Sequence, residues 1–115
     1  MGAQVVHVEV TGKDGTKLQQ FFKDVFGWSL DTNNPGGYGM FNREETGIAG
    51  GVGAAPEGAP GHVTFYVGVP DVDAALARAE QLGGTVIMPK FSPGPDAVLA
   101  LFADPEGHVI GLTEA

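Results

Sequence analysis

One pattern is spelled twice along this chain, and it limits the available folds more than any other property. In the first copy, Val5 to Val10 (VVHVEV) sets Val6, Val8 and Val10 on one side of a strand and Val5, His7 and Glu9 on the other. From about Thr16 to Phe26, the residues Leu18, Phe21, Phe22, Val25 and Phe26 follow the i, i+3, i+4, i+7, i+8 spacing of one helical stripe, and Gly27 stands where that helix should stop. In the second copy, His62 to Val69 alternates again, with Val63, Phe65 and Val67 opposed to His62, Thr64 and Tyr66. Asp71 suits an N-cap, Val72, Ala75, Leu76, Ala79 and Leu82 form the next stripe, and Gly83-Gly84 ends it. His7 and His62 lie 55 residues apart, and Gly27 and Gly83 lie 56 apart. Two independent landmarks at nearly one offset indicate duplication.

Further strands are expected near Trp28–Thr32, Tyr38–Asn42 and Gly47–Gly53, with turns at residues 33–37 and 44–47. Their counterparts are Thr85–Met88, Ala97–Ala103 and His108–Thr113, the last two joined by the strong turn sequence Asp104-Pro105-Glu106-Gly107. The class is therefore α+β. Two βαβββ modules, about residues 4–54 and 62–115, stand in tandem within a single domain of 115 residues, joined by the small-residue linker at 54–61. One helix per module can cover one sheet face, so the valine faces of both leading strands should lie beneath the helices. His7, Glu9, His62, Thr64 and Tyr66 then share the uncovered face, a natural pocket lining.

Composition removes several function classes. Fourteen acidic and six basic residues leave a net charge of -8, a field that repels nucleic acid. Cysteine is absent, which removes disulfides, thiolate nucleophiles and zinc–thiolate sites. No apolar run approaches the roughly 18 residues a membrane span needs, and the start MGAQVVHVEV is unlike a leader, so a cytoplasmic protein is expected. The glycine-rich GIAGGVG has neither the following helix nor the Lys-Ser/Thr of a phosphate loop.

The segments VHVEV before a helix ending VFGW, then HVTFYVGVPDVDAALARAEQLGG, and last LFADPEGHVIGL resemble the vicinal oxygen chelate superfamily along nearly the whole chain. That superfamily includes glyoxalase I, bleomycin-resistance proteins, fosfomycin-resistance enzymes and extradiol dioxygenases. The resemblance implies curved mixed sheets around a cup, helices on the outer face, and a homodimer. It also implies that metal-using relatives hold a divalent ion with side chains matching His7 and His62 plus one anionic residue from each module's last strand. In the second module that place falls on Gly111, and GIAGGVGAA of the first module offers no donor side chain. Hard divalent ions need anionic oxygens, and Glu9 is the only substitute on His7's face.

The sequence thus predicts a metal-free protein with no cofactor that binds or sequesters a small organic ligand. His7, Glu9, Tyr38, Met40, His62, Thr64 and Tyr66 are its candidate ligand-binding residues, and strand parity leaves the orientation of Trp28, Tyr38 and Met40 open. Two alternatives stand beside it. One is a lyase or isomerase using Glu9 with His7 or His62 as acid–base groups. The other is a metal-dependent enzyme with an unusual ligand set. His108 is expected at the rim, in a structural or solvent-facing role.

Overall fold

The computed structural model describes residues 2–115, and seven strands and three helices form among them. In chain order they are β1 (Val5–Gly12), α1 (Gly15–Phe26), β2 (Gly39–Phe41), α2 (Arg43–Thr46), β3 (Gly50–Ala54), β4 (His62–Val69), α3 (Val72–Gln81), β5 (Thr85–Gly94), β6 (Ala97–Ala103) and β7 (Val109–Glu114). The chain divides into two compact units, whose boundaries cut through β1 and β4: His7–Val63, and Thr64–Ala115 with the residues up to Val6.

In the unit His7–Val63 the strand order is β2-β3-β1, with β3 antiparallel to β2 and parallel to β1. The register sets Val8 against Gly50, Glu9 against Gly51, Val10 against Val52 and Thr11 against Gly53. Alternation does the rest. Val52 is fully buried and Phe41 nearly so on the helix side, while Glu9, Gly51, Thr11 and Gly53 share the opposite face. Asp14 caps α1 by accepting from Lys17 N at 3.0 Å, and Gly27 ends it with its N–H on Lys23 O at 2.8 Å. The Gln19 amide pins the helix to the sheet by donating to Val52 O and Gly37 O, both at 2.8 Å.

Two expectations fail in this unit. The strand near Trp28–Thr32 is absent, reduced to one bridge between Asp31 and Met40. The Ser29 N–H instead donates to the Glu45 carboxylate, and Asp31 turns its side chain onto Asn33 N, so local side chains take up backbone donors a ladder would need. The expected turn at residues 44–47 is the one-turn helix α2, because Asn42 accepts from Glu45 N at 3.0 Å as an N-cap. Trp28 packs against Phe22, Phe26 and Phe41 with ring centroids 4.8–5.7 Å apart.

The other unit orders its strands β4-β7-β6-β5, with β4 and β7 parallel and the remaining pairs antiparallel. Its βαβββ order matches expectation. Val72, Leu76, Ala100 and Leu112 form the core between α3 and the sheet. Asp71 caps α3 as the sequence predicts, accepting from Ala74 N at 3.0 Å. The Asp104–Gly107 turn closes through Asp104, which accepts from both Glu106 N and His108 N at 2.9 Å, and exposed His108 bonds the same carboxylate.

The apolar face of β4 departs from expectation. Val67 and Val69 pack against the α3 core, but Val63 is 80% exposed and Phe65 38%. Helix α3 packs on β5, β6 and β7 and reaches only the C-terminal end of β4's apolar face. The stripe of α1 is likewise only half covered, since Phe21, Val25 and Phe26 stay exposed. No helix among the described residues is long and apolar enough to cross a membrane.

Candidate functional site

On the face of His7–Val63 away from α1, four side chains join in one hydrogen-bonded chain. His7 Nε2 lies 3.0 Å from the Tyr38 hydroxyl, which donates to Glu9 Oε1 at 3.0 Å. The second Glu9 oxygen, Oε2, lies 2.6 Å from His62 Nε2. The sequence reaches from 7 to 62, yet the cluster is local in space. Strand β1 supplies His7 and Glu9 two residues apart, and His62, at the start of β4, is held by its own N–H on Thr11 Oγ1 at 3.2 Å.

Tyr38 sits just before β2, and its placement rests on Asn34. The Asn34 side chain donates to Tyr38 O at 2.7 Å and accepts from Tyr38 N at 2.9 Å, gripping both backbone groups. Strand β3 then leaves room for the ring: a Cβ on Gly51 would overlap it, and one on Gly53 would come within 2.9 Å of its Cδ1. Asn34, Gly51 and Gly53 are the site residues that sequence reasoning missed. An Asn four places before an aromatic, facing a strand with glycine at alternate positions, was the available signal.

The donor pattern assigns protons. With the Tyr38 hydroxyl directed at Glu9, His7 Nε2 must carry hydrogen and donate to the phenol oxygen. Burial holds the His7 imidazole below the usual histidine range, and nearby Glu9 only partly offsets it. His62 Nε2 donates to Glu9, so the neutral ring carries its lone pair on Nδ1. Side-chain exposures of 24% for His62 and 14% for Glu9 leave this pair half-shielded yet reachable.

The lowered His7 value has a measurable consequence. Neutral His7 fits the folded site, whereas unfolded His7 takes a proton near pH 6.5, about the free value. The unfolded chain therefore binds more protons below that point, and stability falls as pH drops from about 6.5 towards the lower folded value. Chemical denaturation at pH 7.5 and 5.5 should show that loss in the wild type, and a smaller one in His7→Gln.

Of the remaining candidates, Met40 pairs with Gly51 on the same face and is 47% exposed. Thr64 and Tyr66 belong to the other unit and are buried there, each 7% exposed. Thr64 Oγ1 donates to Val109 O at 2.5 Å, and the Tyr66 ring lies over Gly111, where a Cβ would overlap it.

These residues do not fit a divalent-ion centre. Among the described residues, no three His, Asp or Glu side chains are arranged to hold one. The closest approximation is His7, Glu9 and His62, where the carboxylate is engaged by an imidazole and a phenol.

A family model for a glyoxalase-like domain matches residues 7–113. The chain is 33% identical to the protein named "Putative glyoxylase CFP32" in Mycobacterium bovis and in Mycobacterium tuberculosis, over 94% of its own length. It spans about 44% of the length of these relatives. Its fold is shared with methylmalonyl-CoA epimerase from Mycobacterium tuberculosis, at a TM-score of 0.68 and 15% identity, covering 96% of this chain and 86% of that one. A glyoxalase/bleomycin resistance protein/dioxygenase superfamily member from Vibrio splendidus superposes with a TM-score of 0.63 at 20% identity, covering 99% and 100%.

Proposed function

Because this chain belongs to the glyoxalase-like domain family, we propose that it binds a small organic molecule at the His7–Tyr38–Glu9–His62 cluster and moves a proton on it without a metal ion. One observation carries the reading: the 2.6 Å contact between Glu9 Oε2 and His62 Nε2. A carboxylate on one imidazole nitrogen selects the tautomer with a basic lone pair on the other, and stabilises the imidazolium formed when that nitrogen takes a proton. Glu9 is thus the orienting group and His62 Nδ1 the proton acceptor. The Tyr38 hydroxyl is a hydrogen-bond donor within the same cluster, suited to a ligand oxygen if it turns from Glu9.

A small-molecule library screened by thermal shift supplies candidate ligands, since a ligand of the folded state raises the midpoint. Each hit is then incubated with protein in heavy water, and deuterium entry into the ligand is followed by NMR. The expected result is exchange by the wild type and a loss of roughly 100-fold or more in His62→Ala. Hits that exchange no faster than the solvent background would reduce the protein to a sequestering role. A homodimer is part of the proposal, to be checked by light scattering returning twice the chain mass.

A further inference from the structure

The two units treat one position alike. In the β4–β7 register Tyr66, four residues after His62, faces Gly111. In the β1–β3 register Thr11, four residues after His7, faces Gly53. Gly53 and Gly111 are therefore equivalent places in the repeat, each on the neighbouring strand and four residues along from an imidazole. The family resemblance puts an anionic ligand at Gly111, and this internal equivalence puts its counterpart at Gly53.

Neither place has room for a side chain. A Cβ on Gly111 would overlap the Tyr66 ring, and one on Gly53 would sit 2.9 Å from Cδ1 of Tyr38. Tyr38 is not a loose tail that could swing aside. Asn34 holds its backbone at both N–H and C=O, and its hydroxyl is tied to His7 and Glu9. A tyrosine at 38 and a ligating side chain at 53 exclude each other.

We infer that Tyr38 is the residue that closes this site to divalent ions: its ring, held in place by the hydroxyl's bonds to His7 and Glu9, takes the volume a ligand at position 53 needs. In the other unit the Tyr66 ring likewise fills the space beside Gly111. The inference rests on the metal-independent reading above and adds the residue responsible for it. It makes ion exclusion a property of one aromatic side chain, and therefore reversible.

The test compares wild type, Tyr38→Phe, Tyr38→Ala and the double variant Tyr38→Ala/Gly53→Glu. Each is stripped with chelator, checked for fold by circular dichroism, and titrated calorimetrically with Zn2+ and Ni2+. Tyr38→Phe keeps the ring, so it should bind as weakly as wild type. The double variant should take up one ion with at least about 100-fold higher affinity, beyond the roughly 10- to 100-fold that outer-shell partners alone supply. A folded double variant that binds no better than wild type overturns the inference and leaves the proton-transfer reading standing. If the double variant does not fold, Tyr38→Ala/Gly53→Asp takes its place with the same expectation, and a folded Asp variant that binds no better than wild type overturns the inference. Tight stoichiometric binding by wild type also overturns it. The proton-transfer reading falls with it only if stripping that ion abolishes deuterium exchange.

Discussion

Glu9→Gln is expected to slow deuterium exchange on a bound ligand by roughly 100- to 10,000-fold, the span that positioned acid–base groups contribute. The substitution is nearly isosteric, and the protein should stay folded. What changes is the proton pattern. An amide nitrogen facing His62 Nε2 donates where the carboxylate accepted, so the imidazole must present a lone pair there and move its hydrogen to Nδ1. The nitrogen proposed to accept the ligand's proton is then already protonated. An amide oxygen facing His62 would keep the tautomer, but the neutral amide no longer stabilises the imidazolium formed when Nδ1 takes the proton, and its NH2 would face the Tyr38 hydroxyl and turn that proton away. Either way one link of the chain inverts. Thermal shift with the same ligand should change little, because binding does not require the tautomer. If exchange in Glu9→Gln stays within a few-fold of wild type, Glu9 is not the orienting group.

The largest expected loss of stability is at Gly61→Ala. Gly61 has φ of +85°, a conformation that costs other L-residues about 1–2 kcal/mol. Space is the second obstacle: an added Cβ would collide with the Thr11 carbonyl oxygen and lie 2.8 Å from the Gly12 Cα. These are backbone atoms at the end of β1 and cannot rotate away, so displacing them adds roughly 1–3 kcal/mol. The total is roughly 2–5 kcal/mol, measurable as a lower denaturation midpoint. The site should suffer with the fold. Gly61 immediately precedes His62, whose N–H is anchored on Thr11 Oγ1, so shifting Thr11 moves His62 away from Glu9. Gly58 also has a positive φ, of 84°, but a Cβ there meets nothing within 4 Å, so Gly58→Ala should cost only the conformational part. Equal losses at the two positions would count against the collision argument.

How much of the site was legible can be judged from Glu9. Strand parity sets it on the same side as His7, and two residues along a strand separate side chains by on the order of 7 Å. A direct bond was therefore not implied. The structure connects them through a third residue, Tyr38, whose hydroxyl bridges the gap. Nothing in the periodicity announced this, because Tyr38 lies ahead of a three-residue strand too short to display its alternation. Its direction comes from the Asn34 grip and from glycines on a different strand. The failed strand at Trp28–Thr32 has a related cause. Its apolar residues suit a strand, but Asp31 and Glu45 take its neighbouring backbone donors.

Repeated hydrophobic periods, caps and helix-ending glycines were enough to specify the α+β class, the positions of α1 and α3, and which residues of β1 face away from the helix. Those properties are local, set by the geometry of a few consecutive residues and by side chains that cap their own turn. The pairing of Glu9 with His62, the bridging role of Tyr38 and the exposure of Val63 and Phe65 were decided only by tertiary structure. Each depends on which distant segment returns to a given face and how far along it packs. Alternation tells a side chain which way to point, and only the folded chain determines what it meets there.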